Sequence, residues 1–193
     1  MAKPGKKLNR SILNGSAPSG MLFVGESPRV PQSSLPPSFN PERPEASYRE
    51  VVDSVHRRRF AQYFTPQPIV ELMVKWVAGC KPKSMLDPAV GPGIFVREAT
   101  KSIPRCSITA LDLDPTALGA ANLAVTRKSR VRFVLGDFLT WTSDEIFDAI
   151  LANPPYLKHH NFHYNNDIFS EIGCRSGVTL SRLTNIYVLF IFE

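Results

Sequence analysis

Two kinds of apolar spacing run along the chain from about residue 48 onward, and they predict helices and strands in alternation. Ile69, Leu72, Met73, Trp76 and Val77 recur at i, i+3, i+4, i+7 and i+8, one stripe of a helix facing a core. Thr65 suits its N-cap, Pro66 its first position and Gly79 its end. Upstream, Val51, Val52 and Val55 with charges between them predict a short amphipathic helix over 48–59, closing on Arg57-Arg58-Arg59. The second pattern is four short apolar runs, each ending in a turn with a polar residue: 84–87 at Asp87, 107–111 at Asp112, 131–135 at Gly136-Asp137, and 147–152 at Asn153. Asp87, Asp112 and Asp137 stand 25 residues apart and Asn153 follows after 16, the rhythm of strand, crossover helix, strand. Crossover helices are predicted over 94–101 and from Pro115 through Leu118, Ala121 and Val125, the latter with Asp114 as N-cap. The link from Asp137 to Phe147 is too short for a full crossover helix. Parallel strands with right-handed crossovers bring all four strand ends to one edge of the sheet, so residues distant in sequence share one cleft.

The 193 residues suit one domain, and no apolar run approaches the roughly 18 residues of a membrane helix. The chain is therefore expected to have no membrane partner. Met21-Leu22-Phe23-Val24 is too short for the apolar region of a signal peptide. Cys80, Cys106 and Cys174, an odd set without a CxxC pair, support neither a disulfide framework nor a zinc site, and a cytoplasmic setting is expected. Of the net charge of +6, residues 1–59 hold +5, and eight of the seventeen prolines precede Glu45. Residues 1–46 are accordingly expected to be a disordered basic Pro/Ser-rich arm, and 47–193 the folded domain. Such an arm attracts a polyanion such as DNA or serves as a solubilising tail; charge alone leaves both open.

The strand ends carry the candidate chemistry. Gly91 and Gly93 follow Asp87 and allow tight turns and close approach of a ligand to a helix N-terminus. An acid at the end of the next strand, Asp112, suits the ribose of an adenosine-containing cofactor. The turn lacks the third glycine of a dinucleotide fingerprint and the Lys-Ser/Thr of a phosphate-binding Walker loop. In Asn153-Pro154-Pro155-Tyr156 the two prolines fix φ and keep Asn153 and Pro154 out of the helical region. An amide oxygen and a backbone carbonyl held there can accept both hydrogens of an NH2 group, beside a flat aromatic face; a rigid loop with an aromatic plug would have the same residues. His159, His160 and His163 have no Cys or carboxylate at ligand spacing and read as part of a solvated loop rather than a metal site.

These motifs in this order (Asp87-Pro88-Ala89-Val90-Gly91-Pro92-Gly93-Ile94-Phe95, Leu111-Asp112-Leu113-Asp114-Pro115, Gly136-Asp137-Phe138-Leu139 and Asn153-Pro154-Pro155-Tyr156) resemble those of the class I S-adenosylmethionine-dependent methyltransferases that modify adenine N6 in DNA. Phe64-Thr65-Pro66 and its helix resemble the cofactor motif that precedes the glycine loop in the gamma arrangement of that family, and Thr184-Asn185-Ile186-Tyr187 the start of a later helix. Pro92 departs from the Ser or Thr common there. The resemblance, over residues 56–192, implies an α/β, Rossmann-like class I methyltransferase fold: a mostly parallel sheet with helices on both faces, here without its C-terminal strands. It implies S-adenosylmethionine as cofactor, with Asp87 and Ala89 at its methionine end beside Gly91 and Gly93, and Thr65 closing over it. Asp112 would take the ribose, Leu113 pack on the adenine, Asp137 accept from the adenine amino group and Phe138 lie beside it.

The same resemblance gives Asn153, Pro154, Pro155 and Tyr156 the catalytic role: the first two bind the target N6 amine in DNA, and Tyr156 stacks on the flipped base. The missing strands imply a second subunit or a further C-terminal part that supplies target recognition, and they leave the run 186–192 as an exposed apolar ending. The alternatives are a methyltransferase for protein glutamine N5 or an rRNA amine, and a noncatalytic cofactor- or DNA-binding remnant.

Overall fold

The structure, a computed structural model, describes residues 35–126, 128–157 and 167–193. Four parallel strands, β1 (Ser84–Asp87), β2 (Ser107–Asp112), β3 (Val131–Leu135) and β4 (Ala149–Ile150), lie in the order β3-β2-β1-β4. The register pairs Ser84 with Ser107, Met85 with Ala149 and Ile108 with Val131, so every strand delivers its C-terminal end to the same edge. All four apolar runs become strands. The last is cut to two residues, aligned at its start where Asp148 accepts from the Lys83 and Ser84 amides at 2.7 and 3.1 Å.

The strand period of two sorts the core into two layers. Met85, Ile108 and Ala110 face α3 (Gln67–Gly79), α4 (Ile94–Ser102) and α5 (Pro115–Ala124), packing with Val70, Val74, Val96, Leu118 and Ala121. Leu86, Leu111 and Val134 face the other way, onto α6 (Asp167–Ser176) and α7 (Ile186–Phe192). Helices therefore cover both faces. Among the described residues no helix is long and apolar enough to cross a membrane.

Five expectations need correction. The single helix over 48–59 is two, α1 (Pro44–Val51) and α2 (Ser54–Arg59), because Asp53 caps the second by accepting from the Val55 and His56 amides at 2.7 and 3.0 Å. Order also starts earlier than residue 47: Phe39 is buried with Tyr48, Ala117 and Ala120 in a third apolar cluster. The remainder of the expected arm, residues 1–34, and His159, His160 and His163 lie outside the described residues.

In α3 the buried stripe is Val70, Val74 and Val77, with Met73 at its margin, while Ile69, Leu72 and Trp76 face outward, Trp76 at 77% exposure. The helix is apolar nearly all round, so two stripes satisfy the same period, and the branched valines fit the close contact with α4. Nor does Thr65 cap it: Pro66, at ψ 140°, is the N-cap, which leaves Thr65 in an extended segment. Finally, 186–192 is not an exposed ending, since Ile186 and Leu189 are buried and Phe190 packs on Phe138 at 5.1 Å between ring centroids.

One carboxylate ties the N-terminal segment down. Asp114, fully buried, caps α5 through the Thr116 amide at 2.9 Å. Its other oxygen accepts from the Tyr48 hydroxyl at 2.9 Å and from His56 Nε2 and Gln62 Nε2, each at 2.7 Å. Removing the acceptor strands three buried or half-buried donors at once. Asp114→Ala is expected to lower stability by about 3 kcal/mol or more, seen as a fall in the urea midpoint; a midpoint within experimental scatter of the parent would refute the clamp.

Candidate active site

The four strand ends and the 59–65 segment enclose one cleft of about 930 Å3, counting its open mouth. Thr65, Ala89, Gly91, Asp112, Leu113, Asp137, Phe138, Asn153 and Pro155 all line it. Asp87 and Gly93 lie just beneath the lining, and Pro154 and Tyr156 fall outside it, Tyr156 half exposed beside the strand end.

Asp87 ends β1 with no exposure to solvent. Its Oδ1 accepts from the Ala89 amide at 3.3 Å, and its Oδ2 has no hydrogen-bond partner among the described residues. Burial, reinforced by the charges of Asp112 and Glu45, pushes its carboxyl well above the usual carboxylate range. A buried, unpaired acceptor at the bottom of a cleft calls for a donor from a ligand.

The two glycines of the loop divide the work. Both have positive φ, +54° at Gly91 and +96° at Gly93. A Cβ on Gly93 would stand 2.7 Å from Cα of Ala121, so this glycine lets α4 approach α5. A Cβ on Gly91 would meet nothing within 4 Å, so this one keeps the cleft open.

Asp112 holds the loop in place. Its Oδ2 accepts from the Gly91 amide at 2.7 Å and its Oδ1 from the Asp114 amide at 2.8 Å. Each oxygen retains a second lone pair for a ribose hydroxyl. Burial raises its carboxyl to about 6, with those two amides pulling the other way. Asp137 turns the chain after β3 by accepting from the Leu139 amide at 3.1 Å, which sets Phe138 against the cleft. Leu113 presents an exposed apolar face on the cleft, suited with Phe138 to a flat apolar ring.

Beyond β4, Asn153 Nδ2 donates to the Tyr63 carbonyl at 2.8 Å. This bond assigns the nitrogen to the backbone and leaves the amide oxygen as the acceptor. Tyr156 contacts Tyr63 edge to face at 6.2 Å and Tyr187 at 5.9 Å, an aromatic group beside that acceptor.

Sequence reasoning missed Glu45, Tyr63, Tyr187 and Phe190. Phe190 was within reach, because Ile186, Leu189 and Phe190 recur at helical spacing. Glu45 lay hidden in a stretch read as arm.

The N-6 DNA methylase family matches residues 53–180. The chain belongs to that family. It is 34% identical over 150 residues to the type II methyltransferase M.AccI of Acinetobacter calcoaceticus, covering 77% of this chain and 28% of that one. It is 36% identical over 90 residues to the tRNA1(Val) (adenine(37)-N6)-methyltransferase of Bacteroides thetaiotaomicron, covering 45% and 38%. The methyltransferase subunit of a type I restriction-modification system from Streptococcus thermophilus shares its fold at a TM-score of 0.54 and 18% identity, over 69% of this chain and 32% of that one. The fold is thus the Rossmann-like class I methyltransferase fold. The chain spans less than a third of the length of the type II methyltransferases it matches.

Proposed function

We propose that the chain binds S-adenosylmethionine in this cleft and is the catalytic part of a restriction-modification enzyme that methylates adenine N6 in DNA. The observation that carries the reading is the Asn153 to Tyr63 bond, which fixes an amide oxygen as acceptor on the same strand edge as a cofactor-shaped cleft. The residues fit the cofactor. Asp87 Oδ2 awaits a donor, Gly91 leaves room for one, Asp112 has lone pairs for a ribose, and Leu113 with Phe138 suits an adenine face. Asp137 would accept from the adenine amino group, and Thr65 would close over the methionine end.

The bound cofactor supplies an electrophilic methyl on a sulfonium. What the chain does is hold the amine. Adenine N6 is a poor nucleophile because its lone pair is delocalised into the ring. Asn153 Oδ1 and the Pro154 carbonyl, accepting its two hydrogens, favour a pyramidal nitrogen and meet the positive charge that develops on it. Pro155 stiffens the loop, and Tyr156 stacks on the base once it leaves the duplex. The remaining contribution is alignment of nitrogen, carbon and sulfur.

DNA is favoured over tRNA because the likeness to M.AccI runs over 150 residues and that to the tRNA enzyme over 90. Target recognition would come from a second subunit or a further part of the enzyme. Calorimetric titration with S-adenosylmethionine is expected to give saturable micromolar binding that Asp112→Ala weakens at least about tenfold. A silent titration would end the cofactor reading, and a substrate panel of DNA, tRNA and glutamine peptide in which DNA accepts no methyl would end the rest.

A further inference from the structure

Glu45, in the first turn of α1, lines the cleft together with Thr65, Ala89 and Gly91. It also lines a second hollow on the outer side of the same wall, with Arg49, Phe64 and Arg97. The nearby arginines each have another partner as well, Arg59 the Phe60 ring. Arg43 pairs with Glu50, Arg97 pairs with Glu42, and the Arg49 guanidinium lies over the Phe64 ring, 5.0 Å from its centroid. Glu45 forms no ion pair among the described residues, and after Asp112 it is the carboxylate whose charge bears on Asp87. Asp87, buried with an orphaned oxygen, directly precedes Pro88 and Ala89 of the lining that Glu45 shares, so two acids stand about that end of the cleft. Such a pair suits a cation with several N–H donors, and S-adenosylmethionine carries one, the α-ammonium of its methionine end.

We propose that Glu45 is a cofactor-binding residue whose carboxylate takes the α-ammonium of S-adenosylmethionine together with Asp87. The proposal rests on the cofactor reading above and adds a residue and a proton to it. Burial holds the Glu45 carboxyl up to about 8, with Arg49 and the Thr65 amide pulling it down. Near pH 7 it is largely neutral, and an arriving ammonium favours the ionised form. One O–H bond breaks, the proton leaves to buffer, and one positive charge meets one negative. The other charged groups around it are Arg49 on its own helix, Glu42 and Arg43 before it, Arg59 at the end of α2, Arg97 on α4, and Asp87, Asp112 and Asp137 at the strand ends. Asp87 and Asp112 are raised as well, so a variant must isolate the Glu45 share.

A linked effect on stability separates binding from scaffolding. A carboxyl raised in the folded state binds more protons folded than unfolded between its ordinary value of 4.5 and about 8. Its favourable contribution is complete below 4.5 and is lost as pH rises through 8. Glu45→Gln removes that loss.

The test is calorimetry on the whole chain from pH 6 to 8, in two buffers of different ionisation heat, with S-adenosylmethionine and with S-adenosylhomocysteine, which keeps the ammonium and lacks the sulfonium charge. For both ligands the parent is expected to bind at least about tenfold more tightly at pH 8 than at pH 6, with proton release near pH 7. Glu45→Gln is expected to weaken both about tenfold at pH 8, to release fewer protons, and to melt higher than the parent at pH 8 without ligand. Glu71→Gln, at an exposed position on α3 that lines neither hollow, is expected to change none of these. Unchanged affinity and proton release in Glu45→Gln would overturn the proposal, as would a variant that binds weakly and also melts lower, or a pH dependence seen with only one of the two ligands. No binding by the parent at any pH would overturn the cofactor reading with it, whereas parent binding that the variant retains overturns Glu45 alone.

Discussion

Asn153→Ala is expected to abolish methyl transfer, lowering kcat at least about a thousandfold, while cofactor affinity stays within a few fold. The amide contributes two things that alanine lacks. Its oxygen is an acceptor whose value rises as the target nitrogen becomes pyramidal and positive, so its loss falls on the transition state rather than on the bound ground state. Its Nδ2 anchors the strand end to the Tyr63 carbonyl at 2.8 Å, and without that bond the loop loses one point of its alignment. The cofactor contacts proposed for Asp87, Gly91 and Asp112 come from β1 and β2, so they are expected to survive. The measurement is transfer of labelled methyl to adenine-containing DNA, beside a binding titration of the same variant. Joint loss of binding and transfer would make Asn153 a structural residue, and retained transfer would remove it from the chemistry.

The second large effect is on stability. Gly93→Ala is expected to cost about 3 kcal/mol or more, because the new methyl meets the Ala121 backbone at 2.7 Å and the residue is held at φ +96°. Backbone cannot rotate away as a side chain does. Gly91→Ala, at φ +54° with open space around it, bears only the conformational penalty of about 1 kcal/mol and instead places a methyl in the cleft. Urea unfolding of both, with cofactor titration, is expected to show opposite profiles: Gly93→Ala much less stable, Gly91→Ala near the parent in stability but weaker for cofactor. Equal destabilisation by both would mean that the loop tolerates neither for reasons of backbone alone.

The strand ends were legible because each is marked twice, by the end of an apolar run and by a polar residue in the turn. Asp87, Asp112, the turn at Asp137 and Asn153 therefore appeared at their places with the correct spacing, and so did the Asp114-Pro115 opening of α5. What stayed hidden depends on contacts that period does not encode. In α3 the apolar residues go nearly all round, and only the fit against α4 selects Val70, Val74 and Val77 over Ile69, Leu72 and Trp76. Proline density around residues 36–44 suggests disorder, yet Phe39 and Tyr48 are held by α5 and by the Asp114 carboxylate, partners some seventy residues away. Glu45 was lost with them, since nothing in a run such as Pro44-Glu45-Ala46 tells that its acid enters a cleft.

The bond between Asn153 and the Tyr63 carbonyl also bears on protein engineering. Its two ends are 90 residues apart in the chain. Tyr63 follows directly after Gln62, which the Asp114 carboxylate grips at 2.7 Å. Grafting Asn-Pro-Pro-Tyr onto another strand end would therefore transplant an acceptor without its compass: the direction in which the amide oxygen points is stored in the segment before the first strand. A transplant that works would have to carry both pieces, and a library that randomises residues 60–65 is in effect also mutating the proposed receptor for the base.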